Sequence, residues 1–226
     1  MSDLITSYFN SDITGTRTLL SSIHGKDAEI INYVTERKSQ TKFTVIDIGA
    51  SANSWTKDIA DVTVDIKPNS QSKNHYTFDV QRESNWNSLM EYVEVNGKFD
   101  LSISTHTIED LHYPQMVLDM LPKISKAGII STPSLLREMG PGDRGQKSKG
   151  YDHHHWIYFL NESSEIVLVP KMNHIEHVNV LYSHTPETSE SIFLWKDSIK
   201  YRHFWEKPHS TIYELYTNFF ENLKFA

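Results

Sequence analysis

Four short apolar runs rich in β-branched residues recur between residues 43 and 132, and they constrain this chain more than any other feature. They are Phe43-Thr44-Val45-Ile46-Asp47-Ile48, Val62-Thr63-Val64-Asp65-Ile66, Phe99-Asp100-Leu101-Ser102-Ile103 and Gly128-Ile129-Ile130-Ser131-Thr132. Runs this short and this continuously apolar are what strands buried on both faces require. A weaker one is His75-Tyr76-Thr77-Phe78. The segments between them carry apolar residues at helical spacing: Trp86, Leu89, Met90 and Val93 within 84–95, then Met116, Val117, Met120 and Leu121 within 113–124. Pro114 falls in the first turn of the second helix, where its missing donor does no harm. Strands alternating with helices imply a parallel sheet with right-handed crossovers. The expected architecture is a single α/β domain of 226 residues with helices on both sheet faces and a core at about residues 40–135.

The flanks read differently. Leu19, Leu20, Ile23, Ile30, Ile31 and Val34 form a helical stripe over residues 16–38, interrupted at Gly25. Residues 133–150, with two prolines and four glycines, predict a long loop of the functional kind. Trp156–Leu160 and Ile166–Val169, separated by five polar residues, predict a β-hairpin. Further strands are expected at 175–182 and 190–195, with a closing amphipathic helix near 208–224.

Composition removes several classes of function. The chain has no cysteine, hence no disulfide, thiolate zinc site or cysteine nucleophile. A formal charge of -7 without a dense Lys/Arg block argues against an extended nucleic-acid surface. No apolar run approaches the ~20 residues that cross a bilayer, and Met1-Ser2-Asp3-Leu4 opens no signal peptide, so no membrane partner and a cytoplasmic location are expected.

In an open α/β sheet, ligands bind beyond the carboxyl ends of the strands, at the switch point of strand order. Gly49 follows the first run, where positive φ and close ligand approach are available, with the small residues Ala50 and Ser51 beside it. Asn53 or Ser54 can cap a following helix. Asp47 lies inside an apolar run, and a buried carboxylate needs a partner. Asp65 ends the second run at the distance where an acid holds a ribose diol, and Asp79-Val80 follows the weaker His75–Phe78 run, placed to accept from an adenine amino group. The alternatives are a plain tight turn at Gly49 and loop aspartates bonded to their own backbone.

This ordered set of strand ends resembles the class I S-adenosylmethionine methyltransferases, and His106-Thr107-Ile108-Glu109-Asp110-Leu111 resembles their His-x-Leu-Glu-His-Leu element. The resemblance covers roughly residues 40–135. It implies a Rossmann-like fold with a seven-stranded sheet and an antiparallel hairpin at one edge. It further implies that Asp47 and Gly49 hold the methionine end of S-adenosylmethionine, Asp65 the ribose, and Asp79 with Val80 the adenine, with Ala50, Ser51, Ile66 and Ser104 lining the same site. The family loop has two or three glycines; this chain keeps only Gly49. The stretch Gly150-Tyr151-Asp152-His153-His154-His155-Trp156 is similar to methyltransferases of glycan-modifying clusters, including viral sugar O-methyltransferases, which implies a sugar, glycan or other small hydroxyl acceptor.

Methylating a hydroxyl requires removal of its proton, and histidine titrates near neutrality. His106, just beyond the Phe99–Ile103 run, is one candidate base, or else a capping or cofactor-lining residue; His154 is the other. Glu109, Tyr151, Asp152, His153 and Trp156 are the candidate acceptor contacts, with aromatics covering a sugar ring and polar groups bonding its hydroxyls. On a strand His153 and His155 face one side and His154 the other, so the three cannot share one metal ion. Asp152 with one histidine, or the Glu109-Asp110 pair, supplies ligand types but no spacing motif. A nicotinamide-dependent oxidoreductase lacks support, since neither Gly-x-Gly-x-x-Gly nor a Tyr-x-x-x-Lys pair is present. A non-catalytic module on the same scaffold is the other alternative.

Overall fold

A computed structural model describes residues 4–21, 25–69, 71–72, 74–142, 148–171, 175 and 185–204. In chain order its elements are α1 (Leu4–Asn10), β1 (Gly15–Ser21), α2 (Asp27–Gln40), β2 (Val45–Ile48), β3 (Val62–Asp65), β4 (His75–Thr77), α3 (Asn87–Asn96), β5 (Leu101–Thr105) and α4 (Pro114–Ile124). Then follow β6 (Ala127–Pro133), α5 (Leu135–Glu138), β7 (Trp156–Leu160), β8 (Ile166–Pro170), β9 (Glu190–Lys196) and β10 (Tyr201–His203). All five predicted runs of the core are strands, and both predicted helices between them form.

The main sheet has seven strands in the order β1-β9-β6-β5-β2-β3-β4. Strands β4, β3, β2, β5 and β6 run parallel, while β9 runs antiparallel to β6 and to β1. This is a Rossmann-like, mostly parallel sheet with an antiparallel edge. The two strands of that edge come from opposite ends of the chain. The predicted hairpin at 156–169 forms as β7 and β8, joined by β10 in a separate three-stranded sheet.

Because every residue of β2 is buried, side chains alternate between two cores. Ile46 and Ile48 pack with Val62, Val64, Trp86, Leu89, Val117 and Leu121 on one face. Val45, Leu101, Ile103 and Ile129 meet Ile5, Ile30 and Val34 of α1 and α2 on the other. Trp156, Tyr158, Ile166 and Leu168 of the second sheet join the first core, which ties that sheet to the α/β body.

Three expectations need correction. Residues 16–38 are not one interrupted helix: Gly15–Ser21 is a strand and the helix begins at Asp27. Seven residue pairs with β9, from Gly15↔Lys196 to Ser21↔Glu190, override the local helical period. Turns, not a helix, follow β2 over 51–60, because Ser54 is engaged with Asp47 instead of capping. The stretch after β6 contains α5, capped where the Ser134 side chain accepts from the Arg137 N–H. Most of the expected strand at 175–182 and the closing helix near 208–224 lie outside the described residues. Among the described residues, no helix is long and apolar enough to cross a membrane.

Candidate functional site

Strand order reverses at β2, whose neighbours β3 and β5 lead away to opposite sides, so the crevice opens beyond the carboxyl ends of β2 and β5. Gly49 sits there with φ +88°, and its N–H and that of Ala50 donate to Val64 O at 2.8 and 3.1 Å. Thr107 covers it so closely that a Cβ would lie 2.0 Å from Thr107 Oγ1. Backbone angle and close packing therefore both require glycine. Asp47 is buried, and its Oδ2 accepts from Ser54 Oγ at 3.0 Å and from Thr56 Oγ1. Burial pushes the Asp47 carboxyl up to about 6 in spite of these two bonds. Its partner is thus the loop that follows Ser51, which is exposed, while Ala50 is buried.

Asp65 stands at the end of β3. Its Oδ1 accepts from Lys67 N–H at 2.8 Å, and its Oδ2 has no donor among the described residues. Beside it, Ile66 is 65% exposed, unusual for a large aliphatic side chain in this fold. Asp79 Oδ1 accepts from Gln81 N–H at 3.0 Å, and Arg82 Nε lies 3.4 Å from its Oδ2. Val80 is buried, with its carbonyl accepting from Trp86 Nε1 at 3.0 Å. Both aspartates therefore make the local backbone bond of a turn, and both also stand at or just beyond the carboxyl ends of parallel strands. Ser104, near the end of β5, is buried with its hydroxyl unbonded among the described residues.

His106 leaves β5 in a left-handed conformation, φ +49°, anchored by its N–H to Ser131 O at 3.0 Å. Its ring lies between two carboxylates: Nε2 is 2.9 Å from Glu190 Oε1 and Nδ1 is 3.3 Å from Glu109 Oε1. Burial alone would depress this imidazolium, but contact with Glu109 and Glu190 outweighs it and raises the pKa to about 10. The ring's 40% exposure screens part of that attraction. In this arrangement His106 carries its proton at neutral pH, and neither ring nitrogen offers a lone pair to a substrate. Glu109 is buried, which raises its carboxyl. The 3.3 Å contact is an ion pair without hydrogen-bond alignment, and neither Glu109 oxygen has an aligned donor among the described residues. Glu190, at the start of β9, carries no local sequence signal; it reaches His106 only through the antiparallel pairing of β9 with β6.

The second constellation packs on the one-turn helix Ile108–Asp110. Tyr158 Oη donates to Ile108 O at 2.9 Å, His155 N–H to Glu109 O at 2.8 Å, and Trp156 Nε1 to Leu111 O at 2.8 Å. Trp156 is consequently interior, part of the core, and offers no exposed ring face to an acceptor. Residues 151–155 precede β7 as a turn, so strand alternation does not govern them. His153 Nε2 and His154 Nε2 both approach Asp110 Oδ1, at 3.8 and 3.6 Å. Asp152 turns away to accept from Ser148 Oγ at 2.6 Å.

Behind His154 lies a buried carboxylate the sequence did not advertise. Glu138, on α5, accepts from His154 Nδ1 at 2.6 Å and pairs with Lys171 Nζ at 2.5 Å. Burial would raise Glu138, but the bonds to His154 and Lys171 prevail and lower it. An ionised Glu138 can only accept, so Nδ1 carries a proton, and the lone pair of a neutral His154 is the one on Nε2. Gly150, with φ +59°, permits the fit: a Cβ there would sit 2.4 Å from Glu138 Oε2. The Tyr151 ring lies 4.5 Å from the His154 ring, tilted by 35°, with the Arg137 guanidinium 4.3 Å from the Tyr151 ring centre.

No family model matches the sequence, and no curated protein matches it. Among solved structures, the methyltransferase domain of bacterial CtHen1-C is similar at 12% identity and a TM-score of 0.41, over 76% of this chain and 98% of that one. The N-terminal domain of EvdMO1 with SAH bound matches at 8% identity and 0.37, over 72% and 80%. Magnesium protoporphyrin IX methyltransferase from Synechocystis PCC 6803 with bound SAM matches at 9% and 0.37, over 76% and 79%. Such identities carry no residue-by-residue correspondence; the Rossmann-like architecture rests on strand order and register.

Proposed function

We propose that this chain is an S-adenosylmethionine-dependent methyltransferase acting on a hydroxyl of a sugar, glycan or other small acceptor. The observation that carries the reading is the order of groups around the switch point: Gly49 after β2, Asp65 with exposed Ile66 after β3, Asp79 and Val80 after β4, and Ser104 and His106 at β5. These groups fit the cofactor chemically. A carboxylate oxygen without a donor suits a ribose hydroxyl, an exposed aliphatic side chain suits a purine face, and a buried, unbonded hydroxyl suits a polar ligand atom. When bound, S-adenosylmethionine supplies an electrophilic methyl group. An acceptor oxygen that gains a methyl must give up its proton; Nε2 of a neutral His154, oriented by Glu138 through Nδ1, takes it, and where Nε2 binds an ion instead, the ion would acidify the hydroxyl and its proton would leave to water. Tyr151 and His153 line the same opening, while the clamped His106 imidazolium contributes positive charge and position.

Calorimetry should register binding of S-adenosylmethionine and S-adenosylhomocysteine. The absence of both heat and a thermal shift at millimolar ligand would sink the reading. In protein that binds, H154A should reduce turnover far more than cofactor affinity; equal turnover would remove His154 from the chemistry.

A further inference from the structure

Three ligand-type atoms from two stretches of chain gather beside the Ile108–Asp110 turn: Asp110 Oδ1, and the Nε2 atoms of the consecutive His153 and His154, all within 4.8 Å of one another. At 3.6 and 3.8 Å the carboxylate is too far from either imidazole for a hydrogen bond. They converge without bonding each other, and His154 Nε2 has no hydrogen-bond partner among the described residues although its side chain is only 6% exposed. We propose that these three atoms form a binding site for a divalent first-row transition ion.

Bonds of about 2.1 Å place neighbouring ligand atoms roughly 3–3.4 Å apart, so the two carboxylate–imidazole separations need to close by only a few tenths of an ångström, and the imidazole–imidazole separation closes from within 4.8 Å by rotation of the exposed His153 side chain. One ligand is already fixed. Glu138 holds His154 by Nδ1, the carboxylate–histidine relay that orients imidazole toward a metal and raises its basicity. The other two can adjust, since the side chains of Asp110 and His153 are 46% and 62% exposed. Two imidazoles and one carboxylate favour zinc, manganese, iron or cobalt over magnesium and calcium, which prefer all-oxygen shells. Three protein ligands on one side leave the remaining positions open to the cleft, suited to paired oxygens of a polyhydroxyl acceptor. The ion's role rests on the methyl-transfer reading, in which it would acidify the bound hydroxyl; its binding does not.

The test uses the whole chain, stripped with a chelator and titrated with cobalt(II), followed by calorimetry and by visible d–d absorption. One ion per chain is expected. D110N and H153A alter exposed side chains and should leave folding intact. Each should weaken binding by about 100-fold or more, because losing a ligand costs more than losing a ligand's orienting partner, at roughly 10–100-fold. H203A, on exposed β10, should bind as the parent does. Absence of saturable cobalt binding, or equal binding by parent, D110N and H153A, would overturn the site. S-adenosylhomocysteine binding, measured on the same stripped protein, separates the two readings. Cobalt bound without nucleoside leaves the metal site standing and removes methyl transfer, and the reverse removes the site.

Discussion

At the scale of single residues, Gly49 is the position with least freedom. Its φ of +88° costs an L-residue about 1–2 kcal/mol, and a methyl group would overlap the Thr107 side chain. G49A should therefore destabilise by about 2–5 kcal/mol in denaturant unfolding. Adding T107A should recover the part due to overlap but not the part due to φ. A G49A protein as stable as the parent would show that the loop re-routes. The sequence marked Gly49 because a lone glycine after a buried apolar run has few other uses. It could not mark Thr107 as the reason, since that contact joins residues 58 positions apart by number (107 minus 49).

Among elements, β7 matters less as a strand than as the anchor of the turn that carries Glu109 and Asp110. Three donors from residues 155–158 reach the carbonyls of Ile108, Glu109 and Leu111. Y158F removes one donor and leaves a buried carbonyl unsatisfied. A loss of about 1–2 kcal/mol is expected, with a larger proportional fall in metal affinity than in cofactor affinity, because Asp110 sits on the loosened turn. Unchanged unfolding in Y158F would mean that another donor takes the carbonyl. The hairpin itself was legible from its apolar runs and polar turn, but its attachment to residues 108–111 was not, because nothing local encodes a contact across some fifty residues.

For the whole molecule, pH dependence follows from two groups whose folded-state pKa is raised. Asp47 moves from 3.8 to about 6, so its contribution is fully present below pH 3.8 and lost as pH rises through about 6. That two-unit shift corresponds to about 3 kcal/mol for a fully buried group. His106 moves from 6.5 to about 10, so the tie it makes between β5 and β9 is fully present below 6.5 and lost as pH rises through about 10. Thermal midpoints of the parent should thus fall in an acid step and again in an alkaline one. D47N should shrink the first step, leaving the part due to the raised Glu109 carboxyl, and leave the second unchanged. An acid step undiminished in D47N would assign it to another carboxyl.

By itself the sequence determined the α/β class, the five parallel strands and the positions of Gly49, Asp65 and Asp79, because short-range hydrophobic period and strand-end chemistry are local properties. Tertiary structure alone decided what those periods leave open. Residues 15–21 became a strand through pairing with β9 at the far end of the chain. Glu190 arrived at His106 by the same pairing, and turned that histidine from an expected proton acceptor into a clamped cation. Glu138 and Asp110 arrived on opposite nitrogens of His154 because the 151–155 segment turns instead of extending. Each of these depends on charges and donors brought together across loops, where the free energy of burial, and not the order of residues, selects the partner.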